Sequence, residues 1–324
     1  MAIPSGISAQ LGIKTETTAG SGVVVDRFYE FNNESMMFNI ERLESAGLRG
    51  GNPVLPSTMW TPGGQSVSGD VSLELHQKSM GLWFQHMFGT VATTTPGGGT
   101  LSRDHTFTPG DLPVGFTMQI GKPDSLGVVH PFTFTGCRVA TWELANTVGE
   151  IGMLNLSIVG MSSTTATGLA TATYPTADAL LVFRQATLNV AGSPIDVRGM
   201  TISGDNGLNP DRPVLGSAVP KVATEATMKN YTGTIDAYFS GLTAYTRFVN
   251  GTEAALVALW TGSIIEAAIA FKIQLTCNVR FDGDTPTVSG PEEVGQPLPF
   301  KAVRTGAGTG TAITAVVTNT DTAP

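Results

Sequence analysis

Hydrophobic and polar residues alternate along residues 67–76. Val67, Val71, Leu73 and Leu75 fall on one parity, and Ser68, Asp70, Ser72, Glu74 and His76 on the other. Period two is the signature of a strand with one face buried. At Ser79 the period changes. Leu82, Trp83, Met87 and Phe88 cluster at helical spacings, Ser79 is placed to cap the first turn, and Gly89 stands where a left-handed residue closes a helix. The pattern predicts a strand, a sharp corner and a short helix. It returns in the second half of the chain. Tyr231, Gly233, Ile235, Ala237 and Phe239 share one parity, with Thr232, Thr234, Asp236 and Tyr238 on the other, and Gly69–Asp70 matches Gly233–Thr234. Residues 252–262, TEAALVALWTG, predict a second short apolar helix that again ends near a glycine. The two units together point to an internal duplication.

Around them the same reading gives mostly strands. They are predicted at 36–43, 116–120, 131–144 and 150–161, the last two forming a hairpin through Asn146–Gly149. In the second half, 182–190 and 195–202 form a hairpin turning at Gly192–Ser193. Residues 271–280 alternate Phe271, Ile273, Leu275, Cys277 and Val279 against polar neighbours, and short strands close the chain near 298–304 and 312–318. The remainder reads as irregular. Residues 1–35 form an extended arm, 90–100 a mobile tip, 204–221 a long loop, and 282–297 an acidic loop rich in Gly and Pro. Residues 45–64 hold three Pro and five Gly, which opposes regular structure. Leu55, Met59 and Trp60 within them fit either a docking loop or an Ω-loop packed on its own domain. Residues 162–178, rich in Thr and Ala, divide the chain. The organisation is a first β-rich half with an N-terminal arm (1–161), a linker (162–178), a second β-rich half (179–304) and a C-terminal arm (305–324).

Composition sharpens the picture. Only 14% of residues are charged, below the roughly 25% of ordinary domains, and 39 glycines favour strands and turns. A net charge of −8 opposes tight nucleic-acid binding, although an acidic wall lets phosphates slide past. Cys137 and Cys277 lack motif spacing and read as separate free thiols of a reducing compartment. Neither a secretory pattern nor a membrane-length apolar run occurs, so synthesis in a cytoplasm is expected. His76, His86, His105 and His130 share no metal-ligand spacing, and His76 and His86 read as surface or edge residues. Asp282-Gly283-Asp284 reads as a turn, and Glu292–Glu293 as part of a solvated loop. No catalytic motif appears. The expectation is a non-enzyme without metal or cofactor. Open sheet edges, weak charge and long apolar-bearing loops favour assembly with other chains.

Several stretches carry a resemblance. They are Leu11-Gly12-Ile13-Lys14-Thr15-Glu16-Thr17 before the strand near Glu34–Asn39, and Arg49 followed by the Gly/Pro loop. Val67-Ser68-Gly69-Asp70-Val71 leading to the helix that ends at Gly89 is another. So are Phe134-Thr135-Gly136-Cys137-Arg138-Val139 with Trp142-Glu143-Leu144, and Leu188-Asn189-Val190 before Asp205-Asn206-Gly207-Leu208. The last is the closing Leu298-Pro299-Phe300-Lys301-Ala302-Val303. In order and spacing these resemble the major tail tube protein of long-tailed bacteriophages, over nearly the whole chain. The resemblance implies a mainly β fold, a β-sandwich or half-barrel with short flanking helices. It implies a structural virion protein whose hexameric rings stack into a tube that conducts the genome. Its partners would be further copies, the tail initiator, terminator and tape measure, and DNA that passes without tight binding, with no membrane involved. Asp70, Glu74 and Asp236, on the polar parities of the two repeat strands, are the candidates for the lumen wall. The alternative is that these faces meet solvent or another subunit. Leu55, Met59 and Trp60 are the candidates for contacts between rings. A different self-assembling or decorating β protein of a virion or secretion tube is the alternative function.

Overall fold

In the computed structural model, residues 5–324 are described except Arg49, Asn52, Asp284, Thr287, Ser289 and 307–309. The first half contains β1 (Gln10–Thr15), β2 (Arg27–Tyr29), β3 (Asn33–Glu34), β4 (Met37–Glu44) and β5 (Trp60–Glu74). After these come α1 (Gly81–Phe88), β6 (Gly89–Thr94), β7 (Arg103–Pro109), β8 (Phe116–Pro123), β9 (Val129–Thr147), β10 (Met153–Gly160) and β11 (Ser162–Thr164). The second half contains β12 (Ala186–Val190), β13 (Ser193–Pro194), β14 (Val197–Asp205), β15 (Leu208–Asn209), β16 (Thr224–Glu225) and β17 (Asn230–Tyr238). It ends with α2 (Thr243–Asn250), β18 (Ala254–Glu266), β19 (Ile269–Phe281), β20 (Gly295–Ala302) and β21 (Ile313–Asn319). The fold is mainly β, and the registered pairings are antiparallel.

One layer runs β4–β5–β10–β9–β14–β17–β20. The other runs β6–β7–β21–β19–β18–β12. They meet at a corner where Val279–Phe281 of β19 pairs with β20. A flanking patch of β2, β1 and β8 pairs with the start of β9. The alternating apolar residues of both layers share one core, with α1 wedged into it. Trp83, Phe84, Met87 and Phe88 of this helix are fully buried. Phe88 meets Trp142 of β9 at 5.3 Å between ring centroids, and Phe84 meets Phe107 of β7 at 5.9 Å.

The two halves repeat their pairings. β1–β2, β1–β8 and β4–β5 recur as β12–β13, β12–β18 and β14–β17. β5–β10, β8–β9, β9–β10 and β9–β11 recur as β17–β20, β18–β19, β19–β20 and β19–β21. The helices α1 and α2 occupy equivalent places, and the β6–β7 hairpin is inserted in the first half. Gly69 and Gly233 also correspond. A β-carbon at Gly69 would lie 2.5 Å from Met36 Cα, and one at Gly233 would lie 2.2 Å from the Thr201 carbonyl oxygen.

Several expectations are corrected. Of residues 252–262, all from Ala254 onward lie in strand β18, and none is helical. Ala254, Leu256, Ala258 and Trp260 are buried, but Val257 and Leu259 on the other parity are also apolar, which hides the period. The second helix is Thr243–Asn250, whose residues are all at least partly exposed. Ser79 does not cap α1. It has φ of 59°, and its carbonyl accepts from the Tyr29 hydroxyl at 3.0 Å. Gly89 has positive φ as expected, but with ψ of −70° it lies outside the left-handed region and leads directly into β6. Residues 60–64 belong to β5 despite Pro62, Gly63 and Gly64, held by their pairing with β4, and 90–94, rich in Thr, belong to β6. The supposed N-terminal arm contains β1, whose Leu11 and Ile13 are fully buried. The supposed C-terminal arm contains β21, an interior strand between β7 and β19. The linker is strapped to the body. Gln119 bonds Gly168 and Ala170, and Gln10 bonds Ala170. The hairpin expected at 182–202 holds at its turn, where β12 pairs with β13, but beyond it the strands separate, β12 joining β18 and β14 joining β9 and β17. Of the Asp282-Gly283-Asp284 turn, Asp284 lies outside the described residues.

His86, which reads as a surface or edge residue, is a core residue, and His105 is buried as well. His86 sits 4.7 Å from the Phe116 ring centroid, with Nε2 2.9 Å from Thr15 Oγ1. Burial, aided by the positive charge of Arg138, pushes its pKa down to about 3. The folded state therefore holds it neutral while the unfolded chain takes a proton below about pH 6.5. The stability gained from the neutral form is complete above that pH and is lost progressively as pH falls toward 3. Between pH 7 and pH 5 the wild type is expected to lose about 2 kcal/mol more than His86→Gln, as read by urea unfolding at the two pH values. Both cysteines are buried free thiols.

Candidate functional site

The outward face of the first layer is polar across strand after strand. Register places Asn33, Ser72, Asn155, Glu143, Ser203, Thr232 and Lys301 in one row across β3, β5, β10, β9, β14, β17 and β20. A second row holds Asp70, Ser157, Thr141, Asp205 and Asn230. Side chains link neighbours along the first row. Ser72 Oγ donates to Asn155 Oδ1 at 2.6 Å, and Asn155 Nδ2 donates to Glu143 Oε1 at 3.4 Å. The two rows line a trough of about 480 Å³. Such cross-strand pairs are the unit of sheet stabilisation, and here they also fix a carpet of polar groups.

Asp70 and Glu74 both project from β5, Asp70 exposed and Glu74 partly so, with Asn32 Nδ2 donating to Glu74 at 3.5 Å. Asp236 of β17 lies toward the far edge of the same face. Arg198 Nη2 donates to it at 2.7 Å while its guanidinium stands 5.3 Å from the Tyr238 ring centroid. The structure therefore brings the three carboxylates to one face. Sequence reading missed Glu143 and Asp205, which stand between them. Both were readable from parity, opposite Trp142–Leu144 and Ile202. Glu143 is masked because β9 changes face at Ala140, where its register with β10 shifts and buried Val139 gives way to buried Trp142. With Asp70, Glu74, Glu143, Asp205 and Asp236 set against Arg198, Lys301 and the Arg280 opposite Lys301, the face is acidic. Fixed carboxylates on a broad surface repel a polyanion rather than bind it.

The second candidate surface is the outer half of the β4–β5 hairpin and loop 45–59. Leu55, Met59 and Trp60 are all exposed, together with Leu43, Leu48 and Val54. Arg42 stacks its guanidinium 5.6 Å from the Trp60 ring centroid. Pro62 is tolerated in β5 because this part of the strand pairs with β4 alone, through a register shift. Single exposed apolar residues are ordinary, and several within one hairpin and its loop make this stretch a candidate contact surface.

A third feature stitches the halves together. Glu266, near the tip of the β18–β19 hairpin, accepts from the N–H groups of Thr100, Leu101 and Ser102 and from the Thr100 and Ser102 hydroxyls, at 2.7–3.0 Å. These bonds push its carboxyl down to about 2.

A family model described as phage tail tube protein matches residues 6–302. No curated protein matches the chain.

Proposed function

Because the chain belongs to the phage tail tube protein family, we propose that it is the repeating subunit of a tail tube, self-associating into rings with six tube positions that stack around the path of the genome. The family is structural, and its members are components of the virion tail that associate with themselves and with other tail components. The acidic face of the first layer carries this reading. It lines the lumen, with Asp70, Glu74 and Asp236 as first sequence candidates and Glu143 and Asp205 between them. Among the described residues, DNA moving past fixed carboxylates meets few cations to hold it: Lys301, and Arg198 and Arg280, which are already paired with Asp236 and Asp282. Loop 45–59 contacts neighbouring copies, its tip with Leu55 reaching toward the next ring and its base with Met59 and Trp60 staying nearer its own. The ends of the tube meet an initiator and a terminator, and the lumen holds a tape measure before the genome passes.

The test is charge reversal. Phage carrying Asp70→Lys, Glu74→Lys and Asp236→Lys together is expected to build tails of normal length and to eject DNA at least tenfold more slowly. The defect is expected to shrink as salt rises, since the added contacts are electrostatic. Unchanged ejection kinetics at low salt would remove this face from the lumen.

A further inference from the structure

The junction between the halves is itself an interface between two copies of one unit. β9 of the first half pairs with β14 of the second, from Thr141↔Asp205 to Thr147↔Gly199. The segment after β14 then folds back over the first half. Asn206 is fully buried. It donates its N–H to the Ala140 carbonyl at 2.9 Å and its Nδ2–H to the Val139 carbonyl at 3.0 Å. Arg138 Nη1 donates to the Ala223 carbonyl at 2.9 Å, and Glu225 Oε1 accepts from the Leu112 N–H at 3.0 Å.

The repeated pairings map each side of this junction onto a surface left open in the chain. Val139 faces Ile158 as Phe281 faces Phe300, and Thr135 faces Ser162 as Cys277 faces Ile313, at one constant sequence offset between β9 and β19. Arg138 therefore corresponds to Arg280. On the other side, the match of Gly69 to Gly233 sets β3 and the start of β4 against β14, and Met59 against Ala223. Among the described residues, β3 and β4 pair only with β5, so their outer edge is open where that of β14 is filled by β9. Ala223 is buried beneath Arg138, whereas Met59 is exposed. Arg280 remains about half exposed, and among the described residues its side chain bonds Asp282 alone, at 2.8 Å.

We propose that the joint between copies repeats the joint between halves. One copy lays its β3–β4 edge and the base of its hairpin against the β19–β20 corner of a second copy. Arg280 then reaches the main chain near Met59 as Arg138 reaches Ala223. The partner is thus a second copy of this chain, and the ring count follows. Each chain supplies two tube units, so a ring of six positions closes with three copies, not with the six chains that the resemblance implies.

Strand spacing agrees. With β4, β5, β10, β9, β14, β17, β20 and the end of β19 in the wall, three copies give roughly 24 strands, a circumference near 115 Å at about 4.8 Å per strand and a width of about 37 Å before tilt. Six copies would double that width. A duplex whose two groove depths sum to about 16 Å fits the narrower lumen singly.

This inference rests on the tube reading, and its test separates the two. Tubes of the purified protein, imaged by cryo-electron microscopy, are expected to show three copies per ring. Arg280→Glu and, independently, Met59→Asp are each expected to raise the protein concentration needed for tube formation at least tenfold, while the monomer's melting temperature stays within about 2 °C of wild type. Tubes with six copies per ring, or both variants assembling at the wild-type concentration, would overturn the proposed joint and leave the tube reading standing. Wild-type protein that forms no ring or tube with or without tail initiation components would overturn both.

Discussion

A chain that ends at residue 310 does not fold. The last strand, β21, was expected to lie in a terminal arm, yet it occupies the middle of the second layer. It pairs with β19 through Cys277↔Ile313 to Lys272↔Thr318, and with β7 through Phe107↔Ala315 to Arg103↔Asn319. Ile313, Ala315 and Val317 are buried to within 1% of complete. Removing them forfeits about 1.5–3 kcal/mol for each of the two larger side chains. It also opens the core at Phe107 and Leu275, both fully buried, and leaves backbone donors and acceptors of two strands without partners. His105, fully buried, loses Asn319 Oδ1, 3.1 Å from its Nε2. Together these losses are of the order of the 5–15 kcal/mol margin of a typical domain. Circular dichroism melting and limited proteolysis of residues 1–310 check this. The expected result is no cooperative transition and rapid digestion. A cooperative, protease-resistant fragment would show that β21 is dispensable.

Gly233→Val is expected to destabilise the subunit by at least 3 kcal/mol, and Gly69→Val to do the same in the first half. At Gly233 the new β-carbon meets the Thr201 carbonyl oxygen at 2.2 Å and Phe300 Cζ at 2.4 Å. The carbonyl belongs to a strand that pairs on both sides, so it cannot retreat without breaking the β14 ladder with β9 or with β17. Overpacking of this kind costs about 1–3 kcal/mol where side chains can yield, and more where backbone must move. At Gly69 the obstruction is again backbone, from Ser35 and Met36. Urea unfolding of the two variants tests whether the repeated glycines do the same work in both halves. A loss under 1 kcal/mol at either site would show that the neighbouring strand can shift.

What could be read from the sequence follows from the periodicity. The strands with one apolar parity, β5, β10, β17 and β19, stood out because each buries one face and wets the other. The phage tail tube family was reached through the order of these strands, and the family match covers the same span. Strand β18 was read as a helix because apolar residues occupy both its parities. Strand β7, RDHTFTP, went unread because His105 and Phe107 are its only large buried residues. The strand at 312–318 is legible, but its interior place is not, and β1 reads as part of an arm, because both are short and their partners lie far away in sequence, which no local pattern records. Asp70, Glu74 and Asp236 were legible as polar-parity carboxylates. That they share one face with Glu143 and Asp205 was not, because only the β9–β14 pairing joins the two halves of that face.

The central claim is that the acidic face of the first layer looks inward on a closed tube. Cryo-electron microscopy of tubes assembled from the purified protein tests it most directly, at a resolution that traces strands. The predicted map places β5, β10, β9, β14 and β17 on the lumen wall, with Asp70, Glu143 and Asp205 pointing at the axis. A tube whose lumen is lined instead by β6, β7, β21 and β18, or a protein that forms no closed assembly with its tail components, would contradict the account.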